Sequence, residues 1–322
     1  MKKTLPLIIA ALFMLTLFTA CGSPAPSPSD NSDNLGGGAS SPSPTPVSIP
    51  NEQPPSSNSP NEQPPASNFD KDRVIAVFTR EDGSGTRDAF VSITGVGGDM
   101  YAEAAVVSET NEILTKVEEN DYAISYVSVG SLSDRVKALS VDGVSPSDVT
   151  IKDGSYAIQR PLLVCVSEEK ARNELVKDFI AFMLSSQGQA ISGTKWTSVD
   201  DNAPEYTPGG LTGTLKVGGS TSVEPLMQSM RIAYLDMNAG VEIEISGGGS
   251  GTGISEATSG VLDIGMSSRA LRDSEKEALT PTDIALDGVA VIVNPANPIG
   301  NISIEQVKDI FTGETTRWSG LD

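Results

Sequence analysis

The sequence predicts an α/β fold in two lobes with a ligand cleft between them. Three observations point there. Apolar, β-branched runs of strand length alternate with amphipathic stretches of helical period from about Asp70 onward, the pattern of sheets covered by helices. Four strand-like runs each lead into a loop rich in Gly, Ser and Thr: REDGSGTR (80–87), GGSTSVEP (218–225), GGGSGTG (247–253) and GMSSRAL (265–271). The two GSGT loops lie far apart in a chain of 322 residues, long enough for two lobes.

The elements follow in order. Residues 1–21 read as an export signal: Lys2 and Lys3, then the apolar run LPLIIAALFMLTLF, then FTAC. The run is short for a membrane span and right for a signal core. Thr19 and Ala20 before Cys21 suggest a lipoprotein signal with Cys21 as the lipidated N-terminus, although Phe18 stands where Leu is usual. An ordinary secretory signal is the alternative. Residues 22–68 are rich in Ser, Pro, Asn and Gly with almost no large apolar side chains, and NEQPP occurs at 51–55 and again at 61–65. Such a segment cannot bury a core and is expected to be a disordered tether. The folded domain is expected over 69–322. RVIAVFT is a strand, with a helix from about Thr86. SETNEILTKVEEND carries Ile113, Leu114 and Val117 at helical spacing. YAISYVSV and RPLLVCVS are strands, and KARNELVKDFIAFMLSSQGQAI is one long amphipathic helix. Residues 192–210 are polar and turn-rich, a junction. LTGTLKVGGSTSVEPLMQSM and VEIEISGGGSGTGISEA each read strand, glycine loop, helix, with Ser222 as N-cap of the first helix and Pro225 in its first turn. VLDIGMSS and DIALDGVAVIVNP are strands. SIEQVKDIFTG is a helix with a Ser303/Gln306 capping box and a Gly313 stop.

Composition excludes several functions. There is no histidine, which removes Ser-His-Asp and Cys-His hydrolases and the commonest metal ligand. Cys165 lies in an apolar strand-like run and reads as core packing. The formal charge of −20 disfavours nucleic acid. It does not forbid a small anion, which backbone N–H groups and hydroxyls can hold without net positive charge. A single Ser/Thr/Gly loop before a helix is usually a cap and a turn. Four of them, one headed by Arg80, argue for an anion at strand ends and helix N-termini. No lysine follows either GSGT, so no nucleotide phosphate loop is formed, and GGSGTG only approximates a dinucleotide fingerprint.

On these segments the chain resembles the phosphate-binding proteins of phosphate ABC transporters, a periplasmic-binding-protein family. The likeness rests on GGSTSVEP, ISGGGSGTGISEA, DIGMSSR, DGVAVIVNPANP, VKDIFTGETTRW, REDGSGTRDAF, AISYVSVGSL and FIAFMLSSQGQAI, spread over 72–192 and 211–320. It implies a two-lobed, type II periplasmic-binding-protein-like fold. In the family the segments matching 211–320 come first. Here they come second, so the chain resembles a circular permutant, with 193–210 joining the family's ends and the new ends near Asp70 and Asp322. The strand RVIAVF is then expected in the same sheet as AVIVNP. The lobes are expected at about 125–293 and at 72–124 plus 294–322. The alternative to a monomer is an exchange of halves between copies.

Carried over position by position, the resemblance implies phosphate binding by Arg80, Ser84, Gly85, Thr86, Thr221, Ser222, Ser250 and Ser268, with Asp82 orienting Arg80. Ser268 stands where well-studied members carry an aspartate. The direction of Arg87 is left open. The implied role is a lipid-anchored, extracytoplasmic receptor, not an enzyme and without a cofactor. It would capture inorganic phosphate and hand it to the membrane permease of an ABC transporter. Receptors for another oxyanion (sulfate, arsenate, or a molybdate-like anion), and a surface phosphate sensor without a transport role, stay open. An extracellular phosphatase is disfavoured by the missing histidine and metal cluster.

Overall fold

A computed structural model describes residues 69–321. The expected export signal with Cys21, the expected tether and Asp322 lie outside the described residues. Among the described residues eleven strands and nine helices alternate, with three short 3₁₀ turns among them. The chain runs β1 (Ala76–Arg80), α1 (Gly85–Thr94), β2 (Ala105–Val107), α2 (Thr110–Glu118), β3 (Ala123–Ser128), β4 (Lys137–Ala138), β5 (Ser140–Val141) and α3 (Asp148–Lys152). It continues through β6 (Gln159–Ser167), α4 (Glu174–Met183), α5 (Ser186–Ser192), β7 (Gly213–Gly219), α6 (Glu224–Met237), β8 (Val241–Gly247) and α7 (Ser250–Thr258). β9 (Ile264–Ser267), α8 (Asp273–Lys276), β10 (Leu279–Val293), β11 (Asn301–Ile302) and α9 (Ile304–Thr312) complete it. Among the described residues no helix is long and apolar enough to cross a membrane.

Nine strands form one continuous sheet along β2-β1-β3-β10-β6-β9-β7-β8, with β4 also pairing β10, and β11 pairs β5 in a two-stranded sheet. The 15-residue β10 joins the two parts of the large sheet: its first part pairs antiparallel with β6, and Val289–Val293 pairs antiparallel with β3. β1 and β10 flank β3 from opposite sides. The central strands β3 and β9 are covered on both faces and buried throughout, whereas the edge strand β8 alternates buried Val241 and Ile243 with exposed Glu242 and Glu244. In β6, Leu162 and Val164 enter a core with Phe179, Phe182, Met227 and Ile264, while Leu163 and Cys165 face Ile254 and Leu271. In β10, Val289, Val291 and Val293 pack with Phe90, Tyr126 and Phe311, while Ala290 and Ile292 face Ile113 and Val117.

These cores define two lobes and correct the expected limits of 125 and 293. β3 and everything to Ile158 pack with β1, and so does Val289–Val293. A strand follows the strands it is hydrogen-bonded to, so the lobes divide at the start of β6 and inside β10. The Arg80 lobe is 69–158 with 289–321, and the Ser250 lobe lies between. At the crossing, Arg160 and Asp287 face each other in register and form a buried ion pair, Nη2 to Oδ2 2.9 Å.

Three local readings are also corrected. The stretch 170–191 is not one helix: Ser185 caps a new one, and Gly188 sits where a Cβ would lie 2.3 Å from the Phe182 carbonyl oxygen. Ser222 is not an N-cap; α6 starts at Glu224, with Pro225 in its first turn. The junction is more than a linker, because Trp196 and Tyr206 enter the core of the Ser250 lobe. The Ser303/Gln306 capping box and the left-handed Gly313 are present. The chain ends of the domain adjoin: Val74 bridges Arg317, Ile75 N–H donates to the Thr316 carbonyl (2.9 Å), and Ser319 N–H to the Lys71 carbonyl (2.7 Å).

Candidate anion site between the lobes

The four loops meet at one place. REDGSG ends β1 and opens α1; Gly83 takes φ 88°, and the Ser84 hydroxyl caps α1 by accepting from Arg87 N–H. GGGSGTG ends β8 and opens α7 at Ser250. Its glycines serve two purposes. Gly249 turns at φ 87°, whereas Gly253 lets α7 lie against β7 and β9: a Cβ there would stand 2.7 Å from the Gly218 carbonyl oxygen. Thr221 and Ser222 lie in the β7–α6 turn, and Ser268 follows β9 directly.

Across the cleft, Thr86 Oγ1 and Ser222 Oγ are 2.8 Å apart. Arg80 Nη2 donates to Thr221 Oγ1 at 3.1 Å, and Gly251 N–H of α7 donates to the Gly83 carbonyl at 3.0 Å. Within the Ser250 lobe, the Ser250 hydroxyl accepts from Ser268 N–H (3.1 Å) and lies 3.4 Å from the Ser268 hydroxyl. A Cβ at Gly85 would fall 2.2 Å from Ser250 Oγ and 2.8 Å from Ser268 Oγ. Arg80, Ser84, Thr86, Ser222, Ser250 and Ser268 are buried, and Thr221 is half-buried. The structure thus brings Arg80, Gly85, Thr86, Thr221, Ser222, Ser250 and Ser268 together, with Ser84 beside them on the cap of α1.

Asp82 is the exception. It does not hold Arg80; it is exposed and pairs with Arg87, which settles the direction of that arginine too. Glu81 takes the orienting place, accepting from Arg80 Nε and Nη2 at 3.0 Å each. The Ser108 carbonyl (2.9 Å) and Thr110 Oγ1 (3.1 Å) complete the guanidinium's surroundings. Sequence reasoning missed Glu81, Thr110 and Ser220, whose hydroxyl donates to Ser268 Oγ at 2.9 Å. It also missed Tyr126. Stacked on Phe90, this residue has its hydroxyl 2.7 Å from Thr79 Oγ1 and accepts from Arg80 N–H at 3.2 Å. Burial pushes the Tyr126 phenol above its ordinary range, so it stays neutral. Thr110 was within reach, since it begins a helix that was identified. Glu81 and Asp82 could not be ranked without geometry.

Chemically, the arrangement offers hydroxyls, the first-turn N–H groups of α1 and α7, and one buried guanidinium already paired with a carboxylate. It suits an anion and contains no activated nucleophile. Among the described residues there is no cluster of acids or cysteines able to hold a metal.

The family model described as a PBP superfamily domain matches residues 61–187 and 204–321. The phosphate-binding protein PstS 2 of Streptococcus agalactiae is 42% identical over 257 residues, covering 77% of this chain and 87% of its own. The PstS 2 protein of Streptococcus pneumoniae is 41% identical over 256 residues, with the same coverage. A crystal structure of a phosphate ABC transporter's phosphate-binding protein from Streptococcus pneumoniae superposes with a TM-score of 0.65 at 40% identity, covering 78% of this chain and all of the other. The chain therefore belongs to the PBP superfamily and, within it, to the PstS family of phosphate-binding proteins.

Proposed function

We propose that the chain captures inorganic phosphate between its lobes and delivers it to the permease of an ABC transporter, as a monomer held at the outer face of the membrane by a lipid on Cys21. The observation that carries the reading is Arg80: a buried guanidinium from one lobe aimed at a hydroxyl of the other, amid seven further donors of the kind a phosphate needs. Neither lobe alone supplies a complete set, and a desolvated anion requires one. Closing on the ligand is a population shift, driven by contacts made only in the closed form. No chemistry is performed on the ligand.

We further infer that the family's two halves stand in reversed order in this chain. The adjoining ends of the domain support this; the PstS 2 relatives, which align over 87% of their own length, share the order of this chain, so the reversal is relative to other members of the family.

Calorimetric titration with phosphate, sulfate and arsenate tests the function. Native protein is expected to bind phosphate, and Arg80→Ala to lose on the order of 3 kcal/mol, about a hundredfold, as for truncation of a buried charged pair. Near-native binding by Arg80→Ala would overturn the assignment. Binding of sulfate with no measurable phosphate binding would favour a receptor for another oxyanion.

A further inference from the structure

Apart from the anion site, the lobes meet through further polar contacts: an exposed pair of Lys152 with Asp201, and a cluster around Asp88. Asp88, on α1 of the Arg80 lobe, forms an ion pair with Arg269, Nε to Oδ2 2.9 Å, without hydrogen-bond alignment, and accepts from Arg272 Nη2 at 3.2 Å, both from the Ser250 lobe. The side chain of Arg269 is only 9% exposed. Its guanidinium is fixed within its own lobe by a bidentate pair with Glu275 (Nη1 to Oε2 2.7 Å, Nη2 to Oε1 2.8 Å) and by the Ala270 carbonyl (3.0 Å). Arg272 N–H donates to the same Glu275 at 2.8 Å. Asp88, Arg269 and Arg272 line an interlobe cavity of about 490 Å³ whose walls include Gln159, Arg160 and Pro161 of the crossing strand.

These contacts are unequal in a way that matters. Were the lobes to separate, Arg269 would keep Glu275, and its side chain would stay ordered. Asp88 would lose both arginines. The Asp88 pairing is therefore gained on closure alone, and it is made with a guanidinium already held in place, so little side-chain entropy is lost in forming it. An interaction present in one state and absent from the other shifts the equilibrium between them. We infer that Asp88 with Arg269 and Arg272 is an interlobe latch that sets how tightly and how long the anion is held, without touching it. The affinity part of this inference rests on the phosphate reading above; the closure part does not. Affinity scales with the fraction of closed protein, so weakening the latch raises the dissociation constant and mainly accelerates release.

The experiment uses the full chain with Cys21→Ser, so that thiols introduced by Glu242→Cys and Glu305→Cys, exposed and one on each lobe, take a fluorophore pair while buried Cys165 does not. Interlobe distance is read with and without phosphate, and phosphate release by stopped flow. Asp88→Asn is expected to shift the ligand-free protein toward open and to weaken phosphate binding about tenfold, within the usual span of coupling between sites. Asp88→Glu should keep most of the closure, and Arg272→Gln, which removes the more exposed partner, should show a smaller change in the same direction. Should Asp88→Asn fail to fold, Arg272→Gln decides. Unchanged interlobe distances and release rates in the folded variants would overturn the latch. Opening by Asp88→Asn in a protein whose native form binds no phosphate would leave the latch standing and sink the phosphate reading instead.

Discussion

Ser268 shows how one residue decides which anions fit. Its hydroxyl accepts from Ser220 and lies within reach of Ser250. A hydroxyl can donate or accept, so it tolerates an anion oxygen with or without a proton. A carboxylate at this place only accepts, and would repel a fully ionised oxyanion while welcoming the P–OH of hydrogen phosphate. Ser268→Asp is therefore expected to cut sulfate binding at least tenfold relative to phosphate, measured by parallel calorimetric titrations; an unchanged ratio would remove Ser268 from the selectivity argument. Cys165 gives a second prediction at this scale. Its thiol is buried in β6, and burial pushes it up to about 12. Burial favours the neutral form, so at pH 8 the folded protein keeps this thiol protonated. Ellman's reagent should react with it at a rate set by unfolding; prompt labelling of the native protein would contradict the packing. At this scale the sequence made the donors legible, because Gly, Ser and Thr before a helix have a local meaning. It did not reveal that Glu81 rather than Asp82 holds Arg80. The two acids are adjacent, and the choice follows from the direction in which the strand delivers each side chain.

The element that carries most of the closing geometry is the turn from β1 into α1. It inserts Gly85 between Ser250 and Ser268 of the other lobe, where a methyl group would overlap both hydroxyl oxygens. Gly85→Ala must then hold the lobes apart or displace those hydroxyls. Phosphate affinity is expected to fall by tenfold or more, with the thermal midpoint of the ligand-free protein little changed, since Ala is a better helix former than Gly in α1. A variant that binds as the native protein does would show that the turn can move aside freely. Features of this kind divide the readable from the unreadable. The Ser303/Gln306 box was legible because a cap is satisfied within four residues. Ser222 misled for the opposite reason: its hydroxyl is near Thr86, 136 positions away, and the helix starts two residues later. The break at Ser185 was hidden by apolar spacing that runs straight through it. Strands of two or three residues, such as β2, β5 and β11, exist only through their partners and leave no period to detect.

At the scale of the whole molecule, the crossing of β6 and β10 is what the sequence could not place. β6 reads as an apolar run and β10 as an apolar strand interrupted by Asp287 and Gly288, and only pairing shows that β10 changes partners near Gly288. The buried Arg160–Asp287 pair lies where the chain passes from one lobe to the other, so the order in which segments are joined elsewhere is free to vary, provided both passages remain. Surface ends that lie close together permit that freedom. The domain's ends do lie close: Ser319 N–H bonds to the Lys71 carbonyl, and Val74 bridges Arg317. Asp201 and Asn202, in the junction between the halves, are exposed, whereas Trp196 and Tyr206 on either side are anchored in a core. A chain opened between Asp201 and Asn202, with Leu321 joined to Asp70 by a short glycine-serine linker, should therefore fold to the same two lobes as a monomer and bind phosphate within a few-fold of the native domain. The joined loop constrains ends that already touch, and closure of so short a loop changes the free energy only slightly. Light scattering and phosphate titration of the rejoined chain check this. A rejoined chain that binds only as a dimer would show that the halves exchange between copies, and one that does not fold would show that the present chain order is itself required.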